Sequence, residues 1–84
     1  MIEKHYAAYA RSLSKIACEI AREWPNVNYA ARPYLDAMRD LSSVTDSYGA
    51  DNGKTIVLYF LANAGTWRGE AAKRIKAELR QMTK

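Results

Sequence analysis

The chain has 84 residues, 49% of them hydrophobic and 26% charged, with a net charge of +4 at neutral pH. That composition is globular rather than disordered, and the length predicts a single domain over residues 1–84, with a core just large enough to sustain folding and little room for a walled substrate pocket. One cysteine, Cys18, and one histidine, His5, exclude an intrachain disulfide and the usual ligand sets of structural zinc, so neither a metal nor a cofactor is expected.

The opening residues, MIEKHYAAYARSL, contain no apolar run of signal-peptide length, and the longest apolar run, residues 56–62, is far short of a membrane span. A soluble, cytoplasmic protein without a membrane partner is expected.

Tyr6, Tyr9, Leu13, Ile16, Ile20 and Trp24 recur every three or four positions and predict a first helix over about 3–24, stopped by Pro25. A second helix is predicted over 29–42, with Asn28 as cap, Ala31, Tyr34, Leu35, Met38 and Leu41 facing inward, and Arg32 paired with Asp36 outside. Pro33 suits only a first turn, which leaves Arg32 or Pro33 as an alternative start, with 28–31 as a looser lead-in. Ser43 and Asp46 have capping-box spacing and Gly49 is a left-handed stop, so 43–48 reads as a short helical turn.

Residues 56–60 fit either a buried strand or a helix. Asp51 or Asn52 as cap, the continuation to Ala64 and Gly65 as C′ residue decide for a helix over 52–64, apolar nearly all round and therefore the most buried. Thr66 is the expected cap of a fourth helix over 67–82, with Trp67, Ala71, Ile75, Leu79 and Met82 on the core side and Glu70, Arg74 and Glu78 in an i,i+4 ladder. The predicted fold is all-α: a compact four-helix domain with short connections and antiparallel neighbours.

Residues 54–84 carry seven lysines and arginines against two glutamates. On a helical wheel Lys73, Lys76, Arg80 and Lys84 share an arc opposite the apolar face. Lys4, Arg11, Lys15 and Arg22 form a second arc on the first helix, with Cys18 among them. These eight are the candidate partner-binding residues, suited to an anionic macromolecule. The bland alternative is a solvated helix face, for which lysine and arginine are ordinary filling and whose C-terminal cations complement the helix dipole. A helix-turn-helix reading of residues 64–66 and their flanks is disfavoured, because the preceding helix is too apolar to lie across phosphates and Trp67 and Gly69 stand where base-reading side chains belong.

Gly69, placed inside a first helical turn, costs about 1 kcal/mol relative to alanine, so a close approach to its backbone is expected, by another helix or the 43–50 loop, with a partner or ligand contact as the alternative. Trp24 and Trp67 are assigned to the core, with anchoring of an interface as the alternative; Tyr34, Tyr6 and Tyr9 are assigned to the core as well, while Tyr29 and Tyr48 are assigned to the surface. Arg68 points by wheel angle to the core side, where one of Asp36, Asp40, Asp46 or Asp51 would pair with it. Cys18 falls on the polar face with no histidine or acid in a triad-like pattern. No catalytic residue is therefore named, and the chain is not expected to be an enzyme.

The ordered set Pro33 to Met38 (PYLDAM), Asp46 to Asp51 (DSYGAD) and Tyr59 to Leu79 (YFLANAGTWRGEAAKRIKAEL) resembles small uncharacterised proteins of bacteriophages and prophages over residues 33–82. The resemblance brings no activity, cofactor or site residue. It implies a mobile-element setting, in which small accessory proteins bind host machinery or modulate defence and gene expression. The expected function is a non-enzymatic accessory protein, in the host cytoplasm if phage-encoded, that binds a host or phage protein through its basic helix faces as a defence antagonist or regulator. The alternative is a small DNA- or RNA-binding protein that contacts phosphates with its C-terminal helix. A homodimer through the tyrosine-rich seam of the first helix is compatible with either.

Overall fold

Residues 11–84 are described by the computed structural model; they form helices α1 (Leu13–Glu23), α2 (Arg32–Met38), α3 (Gly53–Ala62) and α4 (Glu70–Met82), with a two-stranded antiparallel ribbon, β1 (Ser47–Tyr48) and β2 (Asp51–Asn52), between α2 and α3. The chain is mostly helical but not purely all-α. Lys4, His5, Tyr6 and Tyr9 lie outside the described residues.

The predicted unbroken helix over 3–24 is corrected at Ser12. Its backbone is extended, at φ −68° and ψ 152°, and its hydroxyl accepts from the Lys15 N–H at 3.2 Å, so Ser12 is an N-cap and α1 begins at Leu13. The second helix is shorter than 29–42. Asn28 accepts from the Ala30 N–H through its side chain and from Ala31 and Arg32 through its carbonyl, which makes 28–31 the lead-in turn and leaves Pro33 in the first turn of α2. Beyond Met38 the chain tightens into a turn at Arg39 and Asp40.

The predicted helical turn at 43–48 is replaced by a turn and a ribbon. Half of the capping box forms, with Asp46 Oδ2 accepting from the N–H groups of Ser42 and Ser43 at 2.8 and 3.2 Å. The helix does not propagate, because the Val44 and Asp46 carbonyls, which would have continued it, serve another element. Leu41 and Ser42 accept from Ser14 and Leu13 at the start of α1, and Val44 and Asp46 accept from Lys54 and Gly53 at the start of α3. Residues 41–46 thus satisfy N–H groups that two helix starts would otherwise leave unpaired. The ribbon pairs Ser47 with Asn52 and Tyr48 with Asp51 around a two-residue turn, with Gly49 at φ 62°.

The apolar run after the ribbon is helical, as expected, with Asn52 as N-cap accepting from the Thr55 N–H at 2.9 Å. It is not buried all round. Ile56, Val57 and Phe60 face the core, but Leu58 and Tyr59 are about half exposed, the Tyr59 ring lying 5.3 Å from that of Tyr34. Gly65 does not take a left-handed conformation; α3 ends instead at Asn63, whose side chain donates to the Tyr59 carbonyl. Residues 64–69 then form a non-helical link, and α4 starts at Glu70 rather than Trp67.

α2 packs against α3, α1 against α2 and α4, and α3 against α4. Their apolar faces meet in one core cluster that includes Leu13, Ile16, Ile20, Leu35, Met38, Phe60, Ile75 and Leu79. Trp24 and Trp67 belong to it, as expected: their rings stack at 5.4 Å, with Phe60 edge-on to Trp24 at 6.3 Å. The described part of the helix-one seam, from Leu13 to Trp24, is consumed by this core. No helix among the described residues is long and apolar enough to cross a membrane.

Candidate functional site

Two basic arcs were expected, and they fare differently. Arg11 is not a free cation of the α1 arc. Its guanidinium donates to both carboxylate oxygens of Glu78 at 2.6 and 3.0 Å and to Glu19 at 2.6 Å, while Arg74 donates to the second Glu19 oxygen at 2.6 Å. Each arginine thereby bridges α4 and the α1 region, and the expected Glu70, Arg74, Glu78 ladder within one helix does not form. Burial of the apolar stripes brings α1 and α4 side by side, so partners across the seam lie nearer than partners along the helix. Lys15 and Arg22 remain exposed on α1, as does the thiol of Cys18. Lys4 lies outside the described residues.

The bonds from Arg74 and Arg11 hold the Glu19 carboxyl at a pKa of about 2, below the ordinary 4.5, and those from Glu78 and Glu19 raise that of Arg11. A carboxyl depressed in the folded state contributes stability that is complete above about pH 4.5 and is lost as the pH falls through 2. Glu19→Gln is expected to lower the melting temperature by several degrees at pH 7, since partly exposed networks of this kind contribute about 1 kcal/mol and a domain of this size shifts ~4–8 °C per kcal/mol. Thermal melts at pH 7 and pH 2 should show the gap between variant and wild type closing at the lower pH.

The α4 arc survives in altered form. Arg68, Lys73 and Arg80 are exposed, and together with Lys76, Trp67, Gly69 and Ala72 they line an open cleft of about 300 Å³. Arg68 was expected on the core side, paired with an aspartate. It is instead exposed and makes no ion pair among the described residues. Lys76 is not a fully outward cation: its ammonium donates to the Trp67 carbonyl at 2.7 Å and lies 5.9 Å from the Trp67 ring centre. Burial, with Arg80 and Arg68 nearby, pushes its pKa down. Lys84 is exposed beyond the cleft.

The displacement of Arg68 follows from Gly69. At φ 113° and ψ −180° this residue occupies a region open essentially to glycine alone, and it is the N-cap of α4 rather than a member of its first turn. A Cβ there would meet no atom of the described residues within 4 Å, so none of them makes the expected close approach to Gly69. The extended link resets the helical phase. Ala72 rather than Ala71 is the buried alanine, Ile75 and Leu79 follow it inward, and Arg68 turns toward Lys73 and Arg80. A glycine one residue before an acidic first turn was the available signal for this start.

Among the described residues no three histidine, cysteine, aspartate or glutamate side chains are placed to hold a metal ion. Among the described residues the exposed aromatic side chains are Tyr29, almost fully in solvent, and Tyr48, both as expected, with Tyr59 added by α3. No protein-family model, curated protein or solved structure matches the chain.

Proposed function

We propose that this chain is a non-enzymatic binding protein that engages an anionic face of a macromolecular partner through α4. The carrying observation is the convergence of Arg68, Lys73, Lys76 and Arg80 on one cleft without an acidic partner among the described residues, while Arg11 and Arg74 are neutralised by Glu19 and Glu78. Cations that merely fill a solvated face gain by interspersing with acids, as the Arg11 network does; an unbalanced group of four favours an external anion. A host or phage protein is the primary partner, and the resemblance over residues 33–82 supports a phage accessory role such as defence antagonism or regulation. The supporting scaffold is a compact four-helix domain, consistent with a single core to which all four helices contribute.

Affinity capture from a bacterial lysate at physiological salt tests this reading. Wild type and a Lys15→Glu/Arg22→Glu variant should retain the same partner, and Lys73→Glu/Arg80→Glu should lose it at least tenfold. Equal retention by both variants, or no partner at all, counts against the α4 surface. Capture abolished by nuclease reassigns the surface to nucleic acid, whose affinity must also fall steeply with salt.

A further inference from the structure

We propose that the cleft lined by Arg68, Lys73, Lys76 and Arg80 is a phosphate-binding site, and that a phosphoryl group is the feature of the partner that this protein recognises. The inference deepens the reading of α4 as the binding surface and rests on it. Three observations carry it. First, the cations are concentrated on one concave surface rather than spread round the helix, with Arg68 at the 67–69 link and Arg80 nearly three turns along α4. Second, Lys76 is anchored to the Trp67 carbonyl, so one positive charge is fixed in the cleft while Arg68, Lys73 and Arg80 extend from exposed positions. Third, no side chain caps α4, and nothing among the described residues accepts from the N–H groups of Glu70, Ala71 or Ala72; Gly69 lines the same cleft and leaves open space where a side chain would sit.

Phosphate fits this set better than carboxylate. A phosphate monoester carries about −1.5 to −2 charge at neutral pH and three acceptor oxygens, against one charge and two oxygens for a carboxylate. Two guanidinium groups present fork-shaped donors that match tetrahedral oxyanions, and a mobile lysine adds a point charge. Glu70, the one acid in the first turn of α4, does not line the cleft.

The test is a titration of the full chain by amide NMR with pyrophosphate, with a single-stranded thymidine oligonucleotide and with acetate. Pyrophosphate should give saturable shifts centred on residues 68–80. Arg68→Gln and Arg80→Gln should each weaken it about tenfold, the equivalent of one charge-assisted hydrogen bond, and Lys15→Gln should leave it unchanged. Competition by the oligonucleotide assigns the phosphate to a nucleic-acid backbone; pyrophosphate binding without it assigns a monoester or a diphosphate. Shifts that do not saturate, that acetate reproduces, or that Lys15→Gln weakens as much as Arg68→Gln overturn the inference. A captured partner lost by Lys73→Glu/Arg80→Glu, alongside a failed pyrophosphate titration, leaves the binding role standing and removes the phosphate.

Discussion

Trp24→Ala is expected to lower stability by about 3–5 kcal/mol, the usual cost of emptying a large aromatic site in a packed interior. Trp24 is 8% exposed at the end of α1, its backbone N–H donating to the Ile20 carbonyl, with its ring stacked on Trp67 and met edge-on by Phe60. Truncation removes the stack and the edge contact together, so the link before α4 and the inner face of α3 lose a common neighbour. A domain of this length commands only about 4–13 kcal/mol in total, which places the variant near its unfolding threshold at 37 °C. Trp24→Phe retains an aromatic ring and should recover about half of the loss. Urea melts followed by far-ultraviolet circular dichroism would decide: a loss under ~1 kcal/mol for Trp24→Ala would mean that the two tryptophans are not a structural pair.

Gly53→Ala should cost about 2–4 kcal/mol, although it adds a single methyl group. A Cβ at this position would stand 2.6 Å from the Ser43 carbonyl oxygen and 2.8 Å from Val44 Cα, both backbone atoms that cannot rotate away. Relieving the overlap requires the 43–46 segment to retreat from α3, which stretches the bonds from Gly53 to Asp46 at 2.7 Å and from Lys54 to Val44 at 2.9 Å. Overpacking costs typically ~1–3 kcal/mol, and each weakened hydrogen bond adds about 1. The same segment caps α1 through Leu41 and Ser42, so the damage should reach across the molecule. Gly65→Ala provides the contrast: no atom of the described residues lies within 4 Å of its added methyl and its φ is not positive, so its melting temperature should stay near that of wild type. Equal melting temperatures for the two variants would show that the 43–46 segment yields freely.

These two sites differ in how far they could be read from the amino-acid order. Trp24 and Trp67 stand at apolar positions of their segments, and periodicity alone placed them in the core. Gly53 carries no such mark, because its importance lies in a carbonyl ten residues away. The cost of a glycine inside a first helical turn marks Gly69 out, but the close approach it suggests is not what the residue serves: its role is conformational, at the N-cap of α4. The basic arcs were legible as composition and only partly as geometry. Lys73 and Arg80 remain exposed as expected, whereas Arg11 is withdrawn by two glutamates and Arg68 joins from a position assigned to the core.

The amino-acid order by itself determined that the chain is mostly helical, that its apolar run forms a helix capped at Asp51 or Asn52, and which large side chains build the core. Local hydrogen bonding and the 3.6-residue period act within one element, and both are written in adjacent residues. Tertiary structure alone decided that 41–46 closes two helix starts instead of opening a helical turn over 43–48, that Glu19 and Glu78 take their arginines from across the α1–α4 seam, and that Arg68 faces the cleft. Each of these depends on which carbonyl, carboxylate or cavity a distant segment brings within about 3 Å, a distance that no spacing along the chain encodes.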